Sequence, residues 1–367
     1  MPTLFDHHAK QYYEYTEIMP VSETYTKAKA GRSLLISNDD DAVVLDPILQ
    51  KEYTYISQHL ERIGLNTSKR ILWKKFDEPK TLTNNQKVSI YCYSPNWHRT
   101  IKDTKRLQAT SSYALKSVIL AAAAKKNIVI PKSVLCNSHK LDTPVLSKKL
   151  QFPVYLKPDN GCSGAGIIRC ASMQKLLQNL KKYPHFPFLV QEDVKADHFI
   201  SMHFRTKNST LENFVTVKQI IKDNSTVGHH YPYLPNIDKN YFLLAKQIFQ
   251  AGIKEYFGLD IAVTKHQDGL SQQILMECNP RYTSATYPAI IGERLGISCW
   301  QTNTYKTHHR TLDSIDLRSI EYDKKTKCGA ILLDWGMILL GRPLFMLIGN
   351  NDEQIEMDRK INNILTL

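Results

Sequence analysis

Three oxygen-bearing side chains lie close together at one end of a predicted β-hairpin. Its strands are the apolar segments GLDIAV and ILMECN, and the Asp-Gly pair at 268–269 between them is a strong hairpin dipeptide. Folding this hairpin brings Asp260, Glu277 and Asn279 to the same end. Such oxygens suit Mg²⁺, which takes one or two carboxylates and completes its shell with water and phosphate oxygens. The pattern therefore predicts a site for a magnesium-bound phosphate.

Cationic side chains stand near this predicted metal site and near a glycine-rich loop. Arg281 follows Asn279 by two residues and could neutralise a transferring phosphoryl group. The stretch FPVYLKPDNGCSGAGII, residues 152–168, carries Lys157 at the end of a short predicted strand. Three glycines then free the backbone to approach an anionic ligand; they are Gly161, Gly164 and Gly166. The lysine precedes the glycines, unlike a Walker loop, so phosphate binding and an ordinary glycine-rich turn are both open.

The elements that must position these residues alternate between strand and helix in the first part of the chain. Four short strands and one helix are predicted there, with Gly64 ending the helix. The strands span 33–36, 43–45, 71–73 and 88–93, and the helix spans 47–63. This alternation predicts an open, mostly parallel sheet. The acidic run at 39–41 could bind a metal, but a solvated turn is favoured.

Longer elements are predicted downstream. Helices span 111–126, 173–182 and 241–257, and further strands span 188–191, 199–206 and 214–221. Lys116 lies on the first of these helices. Arg205 and Lys218 fall on neighbouring antiparallel strands, where we expect them to share a polar face. The segment GHHYPYLP, 228–235, is predicted to be a surface turn, with a ligand-facing loop as the alternative.

Composition limits the class of protein. The 367 residues fit two or three domains, and 42% hydrophobic with 23% charged residues is typical of a soluble globular chain. The net charge of +13 favours anionic ligands, but the basic residues are dispersed, so nucleic acid is disfavoured as a partner. Seven scattered cysteines, with neither a C-x-x-C pair nor a signal peptide, predict a cytoplasmic protein. The apolar stretch 328–349 is interrupted by Asp334, Arg342 and Pro343, so we expect a strand, a turn and a second apolar segment there and no membrane span.

Taken in order, the motifs resemble those of the ATP-grasp superfamily over residues 105–296, about half the chain. PVYLKP and its glycine loop are similar to the nucleotide-covering hairpin, FLVQEDV to the adenine hinge, and GLDIAV with ILMECNPR to the metal-binding hairpin. The resemblance implies roles for two groups of residues. Phosphate and base contacts would come from Lys116, Lys157, Gly161, Ser163, Gly164, Gly166, Gln191, Glu192 and Val194. Metal binding would come from Asp260, Glu277 and Asn279, and catalysis from Arg281 and Lys218.

The resemblance also implies a domain organisation. The fold class is α/β, with α+β character in the grasp lobes. Residues 1–104 would form a pre-ATP-grasp-like α/β domain and residues 105–310 a two-lobed ATP-grasp domain. Its small lobe would span about 140–193 and its large lobe about 195–300, while residues 311–367 would pack on this domain.

The activity implied is an ADP-forming carboxylate–amine ligase that uses ATP and Mg²⁺, with Mn²⁺ as an alternative metal. Its partners would be a small carboxylate and an amine, such as an amino acid or a short peptide, and a homodimer is not excluded. Another ATP-grasp enzyme, either a kinase or carboxylase-like, and a non-catalytic ATP-binding protein are the alternatives. The sequence departs from the family pattern in two places. YTSATYP after Arg281 has no glycine, and Lys105 competes with Lys116 as the first phosphate-contacting lysine.

Overall fold

Three β-sheets organise the chain in the computed structural model. The structure describes residues 2–8, 22–75, 87–137, 150–161, 166–183, 186–222, 225–265 and 271–366. Within these residues, no helix has the length and apolar character needed to cross a bilayer, and the six cysteines are free thiols.

The first sheet is parallel and belongs to the N-terminal unit, residues 2–75 and 87–90. Its strands are β1 Thr3–Asp6, β2 Ala42–Leu45, β3 Arg70–Trp73 and β4 Lys87–Ile90, in the order β3-β2-β1-β4. The helices of this unit are α1 Glu23–Lys29, α2 Arg32–Ile36 and α3 Gln50–Arg62, with a 3-10 turn at Pro47–Leu49. The parallel sheet predicted from the alternating pattern is confirmed.

One prediction in this unit is wrong, and one strand was missed. Residues 33–36 form helix α2 and no strand, because every residue of α2 is buried and a short apolar run cannot by itself distinguish a buried helix from a buried strand. Strand β1 lies in an N-terminal stretch for which no strand was predicted, and it occupies an inner position of the sheet.

The helix predicted over 111–126 is two helices. Helix α4 spans Pro95–Ile101, α5 spans Thr104–Tyr113 and α6 spans Lys116–Ala124. Leu115 has an extended backbone and forms a bridge to Asn160, which interrupts the helix. As a result Lys116 is the first residue of α6, and its backbone N–H donates to the Asp159 carbonyl at 2.9 Å.

The second sheet is antiparallel and carries the glycine loop. Its strands are β5 Ser133–Asn137, β6 Val154–Pro158, β7 Ile168–Cys170 and β8 Pro187–Glu192, in the order β5-β8-β6-β7. Helix α7, Met173–Leu180, follows β7. Its strands run from Ser133 to Glu192, whereas the small lobe was predicted over about 140–193, and the domain bounds stay a prediction.

The third sheet has eight strands in the described residues, and its neighbours pair antiparallel. It contains β9 His198–Lys207, β10 Thr210–Lys222, β11 Ser225–Tyr231, β12 Tyr256–Lys265, β13 Ser271–Asn279, β14 Trp300–Thr304, β15 Gly329–Leu332 and β16 Leu344–Ile348. The order is β13-β12-β9-β10-β11-β14-β16-β15. Helices α8 Lys239–Ala251, α9 Thr286–Leu295 and α10 Asn351–Thr366 complete the chain, with 3-10 turns at Leu312–Ser314 and Trp335–Leu340.

The large sheet corrects two further predictions. Helix α8 ends at Ala251 rather than at 257, because Gly252 has a φ of 122° and strand β12 begins at Tyr256. Residues 228–231 are strand β11, paired with β10 and β14, and are not a surface turn. The predicted turn at 268–269 lies outside the described residues. The large sheet also continues through the proposed domain boundary at 310, since β14 pairs with β16.

Residues 311–366 contact the N-terminal unit as well as the large sheet. The indole Nε1 of the fully buried Trp335 donates to the Gly31 carbonyl at 2.8 Å. Gly31 is required here, because a Cβ at that position would lie 2.8 Å from the Trp335 ring. Glu321 adds a hydrogen bond with His59 at 2.7 Å and an ion pair with Arg62. Through these contacts the C-terminal segment packs the parallel sheet against the large sheet.

We expect Trp335→Ala to lower the free energy of unfolding by about 3–5 kcal/mol, because the change opens a cavity and leaves the Gly31 carbonyl without its donor. Urea unfolding followed by far-UV circular dichroism measures the effect. Ile355→Ala, at a side chain that is 61% exposed, is the control and should change stability by less than about 1 kcal/mol. Equal stability of the two variants would contradict the assigned role of Trp335.

Candidate active site

One cleft of about 630 Å³ lies where the second sheet, the large sheet and the N-terminal unit meet. Most of the predicted site residues that the structure describes line it. Among them are Lys116, Lys157, Gln191, Asp260, Glu277 and Arg281. The structure therefore brings together side chains that the sequence separates by more than 160 positions.

Two carboxylates face each other on neighbouring strands in this cleft. Asp260 on β12 is directly opposite Glu277 on β13, and Gly258 is opposite Asn279. Asp260 accepts hydrogen bonds from Ser201 Oγ and from Gln219 Nε2 on Oδ1, and from Asn279 Nδ2 at 2.8 Å on Oδ2. The predicted meeting of Asp260, Glu277 and Asn279 at one point is thus present in the structure.

The surroundings of Asp260 and Glu277 disfavour two adjacent negative charges. Burial, with the neighbouring charge of Glu277, raises the pKa of Asp260 to about 7. Burial also acts against ionisation of Glu277, but Lys116, Lys157 and Arg281 together hold its pKa below the usual value. A divalent cation would relieve the repulsion between the two groups, and two carboxylates with an amide match the oxygen preference of Mg²⁺. The donor set therefore fits the predicted metal.

The two lysines lie on the wall opposite the carboxylates. Lys116 Nζ is 3.3 Å from Glu277 Oε2 and donates to the Gly161 carbonyl at 3.3 Å. Lys157 Nζ donates to Gln191 Oε1 at 2.6 Å, and burial lowers the pKa of Lys157 to about 8. Lys105, the alternative first lysine, is exposed and is not part of the cleft lining.

The predicted hinge residues lie at the end of β8 and directly after it. Gln191 is buried, and its Nε2 donates to Ser133 Oγ at 3.2 Å. Glu192 Oε1 accepts from the backbone N–H of Gln151 at 2.7 Å, and Val194 lines the cleft. Because β8 pairs with both β5 and β6, the position of this hinge relative to Lys157 on β6 is fixed.

The glycine loop is described only at its two ends. Gly161 lines the cleft beside Lys116, and Gly166 has a φ of 73°, a conformation that favours glycine. Ser163 and Gly164 lie outside the described residues, as does Cys162.

Lys218 does not line the cleft, although the resemblance implies a catalytic role for it. Lys218 pairs with Ile200, whereas the next residue, Gln219, hydrogen-bonds to Asp260. Because side chains alternate along a strand, Lys218 points away from the carboxylates, and it is exposed. The expected face shared with Arg205 is also wrong, since the bulge after Asn213 shifts the register and Arg205 instead pairs with Glu212 and Glu293.

Sequence reasoning missed several residues of the cleft. Ser201 and Gln219 contact Asp260, and their alternation with buried neighbours could have indicated this face. Tyr91 was also missed, and its Oη accepts a hydrogen bond from Arg281 Nη1 at 3.3 Å. The other nitrogen, Arg281 Nη2, donates to Asn279 Oδ1 at 2.7 Å. Beyond Tyr91 the lining includes Lys29, Arg32, Asp334 and Arg342, which are distant in sequence and belong to no recognisable motif.

Comparison with solved structures identifies the fold. The N5-carboxyaminoimidazole ribonucleotide synthetase from Thermus thermophilus matches with a TM-score of 0.60 and 11% identity, over 100% of this chain and 99% of that one. The N5-carboxyaminoimidazole synthetase from Staphylococcus aureus, complexed with ADP, matches with a TM-score of 0.59 and 11% identity, over 98% and 95%. The biotin carboxylase domain of the Hydrogenobacter thermophilus 2-oxoglutarate carboxylase gives 0.52 and 11%, over 83% and 75%.

These structures share the ATP-grasp architecture, so this chain has the mixed α/β fold of the ATP-grasp superfamily, as the ordered motifs predict. Protein-family models and curated protein sequences gave no match to the chain. At 11% identity the likeness extends to the fold, and the activity has to be argued from the residues of the cleft.

The pKa of Asp260 predicts how stability depends on pH without a divalent cation. An acidic side chain whose pKa is higher in the folded than in the unfolded state destabilises the fold when it ionises. The wild-type protein should therefore lose stability as pH rises from about 4, the pKa of an unfolded aspartate, to about 7, the pKa of Asp260. Asp260→Asn removes this ionisation and should flatten that loss. Thermal unfolding across this pH range in a chelator measures it.

Asp40→Asn is the control, because Asp40 is exposed in a turn and outside the cleft. It should keep the wild-type pH dependence. An Asp260→Asn profile that falls as steeply as the wild-type profile would contradict the assignment of this titration to Asp260.

Proposed function

We propose that the chain is an ATP-dependent ligase that joins a carboxylate to an amine and releases ADP and phosphate. The observation that carries this proposal is the 3.3 Å contact between Lys116 and Glu277, in a cleft where two lysines face two carboxylates. A ligand with anionic phosphates and a bound cation matches this arrangement. Its phosphates can contact the lysines, and its cation can bind the carboxylates. An adenine nucleotide with Mg²⁺ is that ligand, with Mn²⁺ as the alternative metal.

The nucleotide would lie along the second sheet. Its base would meet the hinge at Gln191, Glu192 and Val194, which lies one strand from Lys157. Its phosphates would reach Lys116 and Lys157 beside Gly161, where the glycine loop begins. This loop continues through Ser163 and Gly164 to Gly166. The chain's own contribution is to align the phosphates and to exclude water from them.

A metal bound by Asp260, Glu277 and Asn279 would neutralise phosphate charge during transfer. Arg281, which adjoins this cluster through Asn279, would stabilise the negative charge of the transferred group. In the first step a carboxylate oxygen attacks the γ-phosphorus, so that an acyl phosphate forms and ADP leaves. In the second step the amine attacks the acyl carbon and loses a proton, phosphate leaves, and an amide remains.

The reaction is tested by measuring ADP and phosphate release with ATP, Mg²⁺ and a panel of carboxylates and amines that includes amino acids and dipeptides. Bicarbonate belongs in the panel as the substrate of the carboxylase-like alternative. We expect turnover that needs both a carboxylate and an amine. Release of AMP and pyrophosphate would contradict the acyl-phosphate mechanism, and tight ATP binding without any turnover would favour a non-catalytic ATP-binding protein.

We expect Glu277→Ala to lower turnover by at least about 100-fold, because it removes a metal ligand and leaves Lys116 without its partner. The matched control is Glu61→Ala, at an exposed residue of α3, which should keep wild-type turnover. Far-UV circular dichroism checks that both variants are folded. A folded Glu277→Ala protein with near-normal turnover would show that the metal ligands are misassigned.

Lys157 predicts a pH dependence of nucleotide binding. Its pKa of about 8 means that the ammonium is lost as pH rises through that value, and a neutral lysine is a poor phosphate ligand. Affinity for ADP should therefore fall by up to about tenfold per pH unit above the pKa. Isothermal titration calorimetry measures the Kd, and Lys157→Arg, which stays charged, should flatten the profile. A wild-type Kd that is constant across this range would contradict the role of Lys157.

A further inference from the structure

The first turn of α6 is hydrogen-bonded to the segment that leads into the glycine loop, and one acidic residue makes most of these bonds. Asp159 directly follows β6 and is 4% exposed. Its Oδ1 accepts from the backbone N–H of Ser117, and its Oδ2 accepts from Ser117 Oγ, each at 2.7 Å. Its carbonyl accepts from the backbone N–H of Lys116 at 2.9 Å. Neither Asp159 nor Ser117 lines the cleft, so any effect of Asp159 on a ligand has to pass through another residue.

Asp159 is also fixed to the second sheet. Its backbone N–H donates to the carbonyl of Pro187, the first residue of β8, at 3.0 Å. Lys157 precedes Asp159 by two residues and lies on β6. Lys116, on the other side of the connection, is the first residue of α6. The bonds of this one aspartate therefore set where the backbone of Lys116 lies relative to the backbone of Lys157.

Two electrostatic effects oppose the position of Lys116. A positive charge at the N-terminus of a helix is unfavourable; the first turn of α6 contains no acidic residue, and Leu115 at its N-cap has no side chain that can accept a hydrogen bond. The ammonium groups of the two lysines also repel each other. Burial is the main cause that lowers the pKa of Lys157, and the charge of Lys116 lowers it further. The carboxylate of Asp159 supplies the negative charge and the hydrogen-bond acceptors that this helix end lacks.

We infer that Asp159 is a positioning residue for nucleotide binding, which holds Lys116 beside Lys157 so that both ammonium groups meet the phosphates of one nucleotide. With its backbone fixed in this way, the Lys116 side chain places Nζ 3.3 Å from Glu277 Oε2 and 3.3 Å from the Gly161 carbonyl oxygen. The inference rests on the proposed function, in which the phosphates lie at these two lysines. It adds a residue that acts through Lys116 and does not itself contact the nucleotide.

Binding of ADP with Mg²⁺ and binding of adenosine, both measured by isothermal titration calorimetry on the full chain, test this without turnover. Asp159→Ala should weaken ADP binding by about 10-fold, because a charged contact to phosphate loses its fixed position. Its affinity for adenosine should stay at the wild-type value, because adenosine has no phosphate. Asp159→Asn should bind ADP within about threefold of wild type, since the amide can accept from the Ser117 N–H and donate to the Ser117 hydroxyl.

A double-mutant cycle identifies the group through which Asp159 acts. Lys116→Ala should weaken ADP binding at least as much as Asp159→Ala, and the double variant should bind ADP within about twofold of Lys116→Ala alone. Damage to the fold would instead multiply the two losses. Ser117→Ala removes only the hydroxyl donor and should weaken ADP binding about threefold, so it replaces Asp159→Ala in the cycle if that variant does not fold. Asp40→Ala, at an exposed residue outside the cleft, is the control and should bind both ligands as wild type does.

The inference is overturned if the wild-type protein does not bind ADP, if Asp159→Ala binds ADP as tightly as wild type, if adenosine binding falls as much as ADP binding, or if the losses multiply in the double variant. Failure of the ligase proposal gives a different result. The coupling between Asp159 and Lys116 in ADP binding would then persist, while no ADP is released in the turnover assay with any carboxylate and amine.

Discussion

The ion pair between Lys116 and Glu277 joins the parts of the chain that form the cleft. Lys116 is the first residue of α6, and its backbone N–H is bound to the Asp159 carbonyl just after β6. The next residue, Ser117, donates from both its N–H and its Oγ to the Asp159 carboxylate. Glu277 belongs to the large sheet. The pair therefore links α6, and through Asp159 the end of β6, to the large sheet.

The carboxylate cluster is stabilised by its surroundings and not by its own charges. Direct pairing of Asp260 with Glu277 places two acids on facing positions, which is unfavourable unless cations or hydrogen-bond donors compensate. Ser201 and Gln219 supply donors to Asp260, and the two lysines and Arg281 supply charge to Glu277. The resulting cluster places two acids side by side at the cost of some stability.

Local patterns were enough to predict the centre of the site, because one hairpin contains Asp260, Glu277 and Asn279. The exact pairing of Asp260 with Glu277 was not predictable, because a register shift between Asp260 and Ile261 produces it. Lys218 could not be placed, since a single bulge after Asn213 reverses which face a side chain takes, and nothing in the local sequence marks that bulge. The break between α5 and α6 was missed for a similar reason. It is imposed by a bridge from Leu115 to Asn160, a tertiary contact that helix propensity does not contain.

The remainder of the cleft is assembled by contacts between the two ends of the chain. Lys29 and Asp334 form one ion pair across 305 positions, and Trp335 reaches the Gly31 carbonyl directly beside it. The packed cluster that holds the parallel sheet against the large sheet therefore also fixes Lys29 and Asp334, which line the cleft. Because these contacts join the two ends of the chain, no local pattern in the sequence could predict this part of the cleft lining.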